Sequence, residues 1–143
     1  MQWLLTAHVR RYHRHYRGSG HVWQGRFKAL PIEQDEHYLP VVRYVERNAL
    51  RADLVARAED WLWSSASCQS AGRSEGLVHP GPVAKGRLWL QQVNRAETDG
   101  ELKRLRQSVN RGTPFGSDEW AATTASVLGL ESSLRPRGRP RKK

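Results

Sequence analysis

The feature of this sequence that most limits its fold is a glycine- and proline-rich run at residues 71–86, near the middle of the chain. The residues that define it are Gly72, Gly76, Pro80, Gly81, Pro82 and Gly86. Glycine and proline interrupt helices and strands, so regular structure is not expected to cross this stretch. We therefore predict a linker over 71–86 between an amino-terminal part, 1–70, and a helical part, 87–130, followed by a disordered basic tail over 131–143.

The amino-terminal part shows helical and alternating patterns. Apolar residues recur at helical spacing in 1–17, which predicts a helix, and alternate loosely in 21–33, which predicts a strand or an extended pair. A second helix is predicted over 35–49, with Pro40 in its first turn, where proline is tolerated. The tryptophan-rich stretch 61–65 predicts a loop that covers the core with aromatic side chains.

Three short helical patterns follow the linker, at 87–96, 99–110 and 118–128. Ser117 precedes two acidic residues, which is typical of a helix amino terminus. The last two helices flank the turn at 112–116, so they resemble a helix-turn-helix.

The charge of the chain indicates the class of its partners. Lysine and arginine number 24 against 14 acidic residues, for a formal net charge of +10. This excess favours binding to nucleic acid. No apolar run is long enough for a membrane span, and the single Cys68 cannot form an internal disulfide. We therefore expect a DNA partner, no membrane anchoring and a cytoplasmic location.

Two patterns offer candidate chemistry. His13 and His15 resemble a metal-binding pair, but residues two apart on a helix point about 200° away from each other, so a shared ion is not expected. Tyr44 and Asn48 are four residues apart on a predicted helix and lie on one face. Tyrosine can attack phosphate as a covalent nucleophile, and an amide oxygen suits a hard metal. Most such pairs simply pack, so the spacing leaves both interpretations open.

Three motifs together resemble a known family. They are HVWQGRFK at 21–28, RYVERNALRA at 43–52 and EDWLWSS at 59–65. In this order and spacing they resemble the REP-associated tyrosine transposases, the single-tyrosine branch of the HUH nucleases. The stretches 108–116 and 134–140 also resemble longer members of that family.

The resemblance implies a fold and a mechanism. The fold would be α+β: the latter part of an HUH-nuclease domain, with a ferredoxin-like antiparallel sheet and helices, then a small helical region. Tyr44 would attack a DNA phosphate, and Asn48 would help to hold a divalent metal, Mg or Mn. The family's two metal-binding histidines belong upstream of this sequence and His13 and His15 do not match them, so we expect this chain neither to hold the metal nor to cut DNA alone. Without the sheet, Trp3, Trp23 and Phe27 are expected to be exposed.

The resemblance also implies single-stranded, hairpin-forming DNA repeats as the partner, in a bacterial cytoplasm near the nucleoid. The candidate DNA-contacting residues are Arg26, Lys28, Arg43, Arg137, Arg139 and Arg141. Two alternatives stay open. One is a non-enzymatic remnant that recognises DNA through 99–143, and the other is a basic structural protein that binds nucleic acid without sequence preference.

Overall fold

The computed structural model describes residues 2–23, 28–72 and 78–135, and these residues are mainly helical. The α-helices are α1 (Gln2–Tyr16), α2 (Tyr38–Glu46), α3 (Asn48–Arg51), α4 (Ser65–Ser70), α5 (Trp89–Asn94), α6 (Asp99–Arg111), α7 (Asp118–Val127) and α8 (Glu131–Leu134), and a 3-10 helix spans Ala58–Asp60. Within these ranges, no helix has the length and apolarity needed to cross a membrane.

The predicted α+β class, with its antiparallel sheet, is wrong. In the described part of the chain the extended pairing is one isolated parallel bridge between Ile32 and Phe115. It is closed by hydrogen bonds from Glu33 N to Phe115 O (3.0 Å) and from Phe115 N to Pro31 O (2.9 Å). Pro31 has no N–H to extend a ladder, and a strand pattern needs a partner strand to become a sheet. Of the strand predicted over 21–33, residues 24–27 lie outside the described residues.

The helix predicted over 35–49 forms as α2 and α3. Pro40 occupies the first turn of α2, as predicted, where the helix needs no backbone donor. Arg47 separates the two helices but keeps helical dihedral angles, and its carbonyl accepts a hydrogen bond from Arg51 N (2.9 Å). Tyr44 in α2 and Asn48 in α3 therefore lie on nearly continuous helical backbone.

Two hydrophobic clusters lie on either side of α2. The first contains Ala58, Ala66, Trp89 and Val93, with Leu39, Val42, Leu50 and Leu90 packed against it. The second contains Val41, Leu105 and Phe115, with Leu30, Ile32, Tyr44 and Val109 packed against it. Both clusters combine residues from before and after the 71–86 segment, so α5 and α6 pack directly against the motif that carries Tyr44.

The tryptophans of the 61–65 loop do not cover this core, contrary to the sequence-based expectation. Trp63 is 87% exposed, and Trp61 is also exposed. The buried aromatic side chain of this cluster is Trp89 from α5, which packs in one core with Ala58 and Ala66.

Residues 131–134, predicted as the start of a disordered tail, form α8 instead. Gly129 turns the chain with φ 65°, and Leu130 N then donates to Ala125 O at 2.7 Å. The hydroxyl of Thr113 donates to Ser133 O at 3.0 Å, which ties α8 to the turn before α7. Residues 136–143 lie outside the described residues.

Helix α1 has no buried residue. Trp3 is 79% exposed and Trp23 is 44% exposed, which confirms the expectation for these two side chains. Phe27 lies outside the described residues. None of the side chains of α1 belongs to either cluster.

Candidate functional site

Tyr44 is half-buried on α2, with its ring packed against the second cluster. The guanidinium carbon of Arg51 lies 4.0 Å from the centroid of this ring. Tyr44 also lines a cavity of about 220 Å³ together with residues of α6, among them Leu102, Arg104 and Leu105. The candidate nucleophile therefore borders a cavity that is completed by the carboxy-terminal half of the chain.

Asn48, the candidate metal ligand, is exposed, but its amide oxygen is already engaged. Arg51 Nη2 donates to Asn48 Oδ1 at 2.9 Å. The same arginine covers the Tyr44 ring, so it connects the two residues that sequence spacing pairs. A divalent cation at Asn48 would meet the positive charge of Arg51 at that distance, and Arg51 would have to move. As placed here, Asn48 and its surroundings do not fit a metal site.

Arg43, Arg47 and Arg51 follow one another at four-residue spacing, and the first two hold the end of α5. Arg43 Nη2 donates to Arg95 O (2.8 Å) and Ala96 O (3.0 Å), and Arg47 Nη1 donates to Val93 O (3.1 Å) and Asn94 O (2.6 Å). Carbonyls at a helix carboxy terminus lack helical partners and carry partial negative charge, so arginine donors stabilise them. Arg43, a candidate DNA contact, makes structural contacts here.

Glu97 neutralises two of these arginines and has a largely buried side chain. Its Oε2 lies 3.0 Å from Arg47 Nε, and its Oε1 lies 3.3 Å from Arg51 Nη1. Neither Glu97 nor Arg47 was among the candidate functional residues predicted from the sequence. A signal for the arginine row was present, because Arg43, Arg47 and Arg51 repeat every four residues and so share one helix face.

Glu46 is a second missed residue, and it is 2% exposed. Its carboxylate accepts hydrogen bonds from Ser65 Oγ (2.6 Å), Lys85 Nζ (2.7 Å) and Trp89 Nε1 (2.6 Å). A buried carboxylate is tolerated only when it is paired and hydrogen-bonded, and these three donors meet that need. The sequence signal was a glutamate within the otherwise apolar face of the predicted helix.

The third motif also holds α5. Asn94 Nδ2 donates to Glu59 Oε2 at 2.7 Å, and Ala58 N donates to Asn94 Oδ1 at 2.9 Å. Burial acts to raise the pKa of Glu59, but hydrogen bonds from Asn94, the backbone and Arg57, together with the charge of Arg57, lower it overall. Much of the polar part of the motifs at 43–52 and 59–65 therefore stabilises the position of α5.

Glu33, Asp35 and His37 form a cluster of side chains able to offer metal ligands, and His37 lines the cavity beside Tyr44. Their acceptor atoms already have partners within the fold. Glu33 Oε2 accepts from Ser117 N at 2.7 Å, and Asp35 Oδ1 accepts from His37 N at 2.8 Å and lies 2.9 Å from His37 Nδ1. The backbone N–H of His37 lowers the pKa of Asp35. These contacts fix the turn before α2 and the start of α7.

The candidate DNA-contacting residues fall into separate groups. Lys28 is exposed, and Arg43 binds the end of α5, whereas Arg26, Arg137, Arg139 and Arg141 lie outside the described residues. The predicted helices around the 112–116 turn form as α6 and α7, and Ser117 caps α7 as predicted. Helix α7 contains no lysine or arginine, so the basic residues of this hairpin lie on α6.

An exposed basic surface without an ion pair to a described carboxylate lies on α1 and on Arg17, which directly follows it. Arg10, Arg11, Arg14 and Arg17 are exposed, and none lies within 4.0 Å of a described carboxylate. No aspartate or glutamate precedes Glu33 in the sequence. The arginines of this surface differ from Arg43, Arg47 and Arg51, whose side chains are already bound within the protein.

Comparison with protein-family models, curated proteins and solved structures finds no match for the chain.

Proposed function

We propose that this chain is a transposase-type protein that binds DNA through the basic surface of α1 and carries Tyr44 as the nucleophile for strand cleavage. The observation that supports DNA binding is the set of exposed arginines on α1, which have no acidic partner among the described residues. Polyanion binding releases counterions from the nucleic acid, and unpaired arginines contribute most because no internal ion pair must be broken.

The arginines of α2 and α3 contribute less to this proposal. Arg47 and Arg51 share the carboxylate of Glu97, and Arg43 binds two backbone carbonyls. A DNA phosphate would have to replace partners that are already in place. We therefore assign DNA contact to α1 and a structural role to these arginines.

We do not expect this chain to cleave DNA on its own. Attack by tyrosine on a phosphate needs charge stabilisation on the phosphoryl oxygens, which the resemblance assigns to a divalent metal. Asn48 offers one amide oxygen, and Arg51 already donates to it. Tyr44 would therefore act only where further ligands complete a metal centre.

A non-enzymatic DNA-binding protein that uses α6 is the second candidate. Lys103, Arg104 and Arg106 are exposed on α6, which favours this alternative. The two candidates differ in which helix controls affinity, and a pair of charge-matched variants separates them.

The experiment measures how affinity for a single-stranded DNA hairpin depends on salt concentration. One variant carries Arg10→Gln, Arg11→Gln and Arg14→Gln on α1. Its matched counterpart loses the same amount of charge on and next to α6, through Arg95→Gln, Lys103→Gln and Arg106→Gln, all at exposed positions. We expect the α1 variant to flatten the log–log salt slope by about 2 units, at about 0.7 per phosphate contact on a single strand. An equal loss in both variants would contradict the assignment to α1.

A further inference from the structure

The exposed side of α1 carries a row of aromatic rings as well as arginines. Trp23, His8, Tyr12 and Tyr16 follow one another with ring centroids 5.1, 6.4 and 4.6 Å apart. Tyr16 is 65% exposed and Tyr12 is 41% exposed. Contiguous exposed aromatic patches mark interaction sites more often than single exposed rings do, so this row indicates a binding surface.

Two elements build this row. His8, Tyr12 and Tyr16 repeat every four residues and therefore lie on one side of α1. The chain turns after Arg17, which has φ 52°, and His13 Nε2 donates to Gly20 O at 2.9 Å. This hydrogen bond folds the following loop back against the helix and brings Trp23 beside His8. The row is therefore a product of the local fold.

Basic side chains lie beside the aromatic row on α1. Arg11 follows His8 by three residues and precedes His15 by four, so Arg11 and His15 run alongside the row. The ring of His15 packs edge-on against Tyr16, with centroids 4.6 Å apart. No acidic residue precedes Glu33, so a second copy of this face would bring like charges together. The complementary occupant is a polyanion with flat, apolar groups.

We infer that this face of α1 binds single-stranded DNA, with bases stacked on Tyr12, Tyr16 and Trp23 and phosphates paired with Arg11 and its neighbours. Aromatic platforms next to positive charge bind single strands because every base offers a ring face and every nucleotide a phosphate. Duplex DNA keeps its base faces inside the helix and can use only the charges. The choice of DNA over RNA rests on the proposed function, whereas the stacking surface does not depend on Tyr44.

The test compares two ligands that carry the same phosphates. One is an oligothymidylate of about 20 nucleotides, longer than the roughly 4 to 16 that single-strand sites occupy, and the other is an abasic strand of equal length. The protein should bind the oligothymidylate more tightly. The double variant Tyr12→Leu/Tyr16→Leu should weaken binding to the oligothymidylate at least about fivefold and leave binding to the abasic strand unchanged.

Two controls test whether the loss of affinity is specific to the rings of Tyr12 and Tyr16. Trp63→Leu removes an aromatic ring that is 87% exposed on another part of the surface, and its affinity should match that of the unaltered protein. Far-UV circular dichroism and the unfolding midpoint of Tyr12→Leu/Tyr16→Leu should also match, because neither ring belongs to a hydrophobic cluster.

Several outcomes would overturn the inference. They are equal binding to both strands, equal weakening of both by the tyrosine variant, tighter binding to RNA of the same length, and a protein dimer that dissociates in the tyrosine variant. If the variant at Arg10, Arg11 and Arg14 loses affinity while the tyrosine variant keeps it, the stacking inference fails and the proposed DNA binding stands. If the unaltered protein binds no strand at low salt, both fail.

Discussion

The guanidinium group of Arg51 lies over the ring of Tyr44, with its carbon 4.0 Å from the ring centroid. The same group donates to Asn48 Oδ1 and lies 3.3 Å from Glu97 Oε1. The candidate nucleophile and the candidate metal ligand thus share one cation, and Glu97, between α5 and α6, holds that cation in place. The carboxy-terminal half of the chain therefore influences the residues around Tyr44.

Replacement of Glu97 by glutamine should destabilise the fold. The change leaves Arg47 and Arg51 largely buried without their carboxylate, and breaking a buried pair by removing one partner costs about 3 kcal/mol. Urea unfolding followed by circular dichroism measures this loss. Glu119→Gln, at an exposed position on α7, is the matched control and should change the free energy of unfolding by less than about 0.5 kcal/mol. Equal stability of the two variants would contradict the structural role of Glu97.

Local sequence signals predicted several elements well. Ser117 caps α7 through a hydrogen bond from Trp120 N, and Pro40 occupies the first turn of α2. These features depend on residues close in sequence, so capping chemistry and proline geometry suffice to predict them.

Contacts between distant residues were not predictable in the same way. The buried position of Glu46 depends on Trp89 and Lys85, about 40 residues away, which complete its hydrogen bonds. The pattern at 21–33 favoured a strand, but in the described residues it forms only the bridge between Ile32 and Phe115, because no second strand lies beside it. The spacing of Tyr44 and Asn48 predicted that they are neighbours. The contacts of Arg51 with both residues were not predicted from the sequence.

Acid should remove the stabilisation that Glu101 provides. The backbone N–H and the hydroxyl of Thr98 donate to Glu101 at 2.7 and 2.9 Å, and these bonds lower the pKa of Glu101 below its ordinary 4.5. A carboxyl group whose pKa is lowered by folding stabilises the protein above its unfolded pKa, and this contribution is lost as pH falls through the folded value.

The variant Glu101→Gln measures this contribution directly. At neutral pH it should unfold at a lower urea concentration than the unaltered protein, and the difference should shrink as pH falls below about 4.5. Glu131→Gln, at an exposed position on α8, is the control and should show little difference at either pH. A Glu101→Gln deficit that stays constant down to pH 3 would contradict the assignment.

The basic tail should contribute to the salt dependence of DNA binding. Residues 135–143 carry six lysines and arginines and no acidic residue. Removing them should flatten the log–log salt slope by a few units, since each phosphate contact contributes about 0.9 on duplex DNA. Replacing only the six lysines and arginines with glutamine keeps the chain length and should flatten the salt slope by the same amount. A slope that neither change alters would show that the tail does not contact DNA.

The nucleophile assignment is tested in a fusion of this chain to an added segment that carries the two metal-binding histidines of the resembled family. This version should form a covalent adduct with a single-stranded DNA hairpin in the presence of Mg²⁺ or Mn²⁺. Tyr44→Phe removes only the hydroxyl group, so it should abolish the adduct while it leaves the packing against Leu105 and Phe115 intact. Denaturing gel electrophoresis detects the adduct. An undiminished adduct in Tyr44→Phe would contradict the assignment, and Tyr38→Phe controls for loss of a tyrosine on the same helix.

The most direct measurement of the central claim is binding and cleavage of a labelled single-stranded DNA hairpin by the purified 143-residue chain, with Mg²⁺ or Mn²⁺ present. We expect a salt-sensitive complex without a covalent adduct, because the basic surface of α1 is available and Arg51 engages the oxygen of Asn48. Metal-dependent cleavage that disappears in Tyr44→Phe would contradict this account and show a complete enzyme. Absence of a complex at low salt would contradict the proposed DNA binding itself.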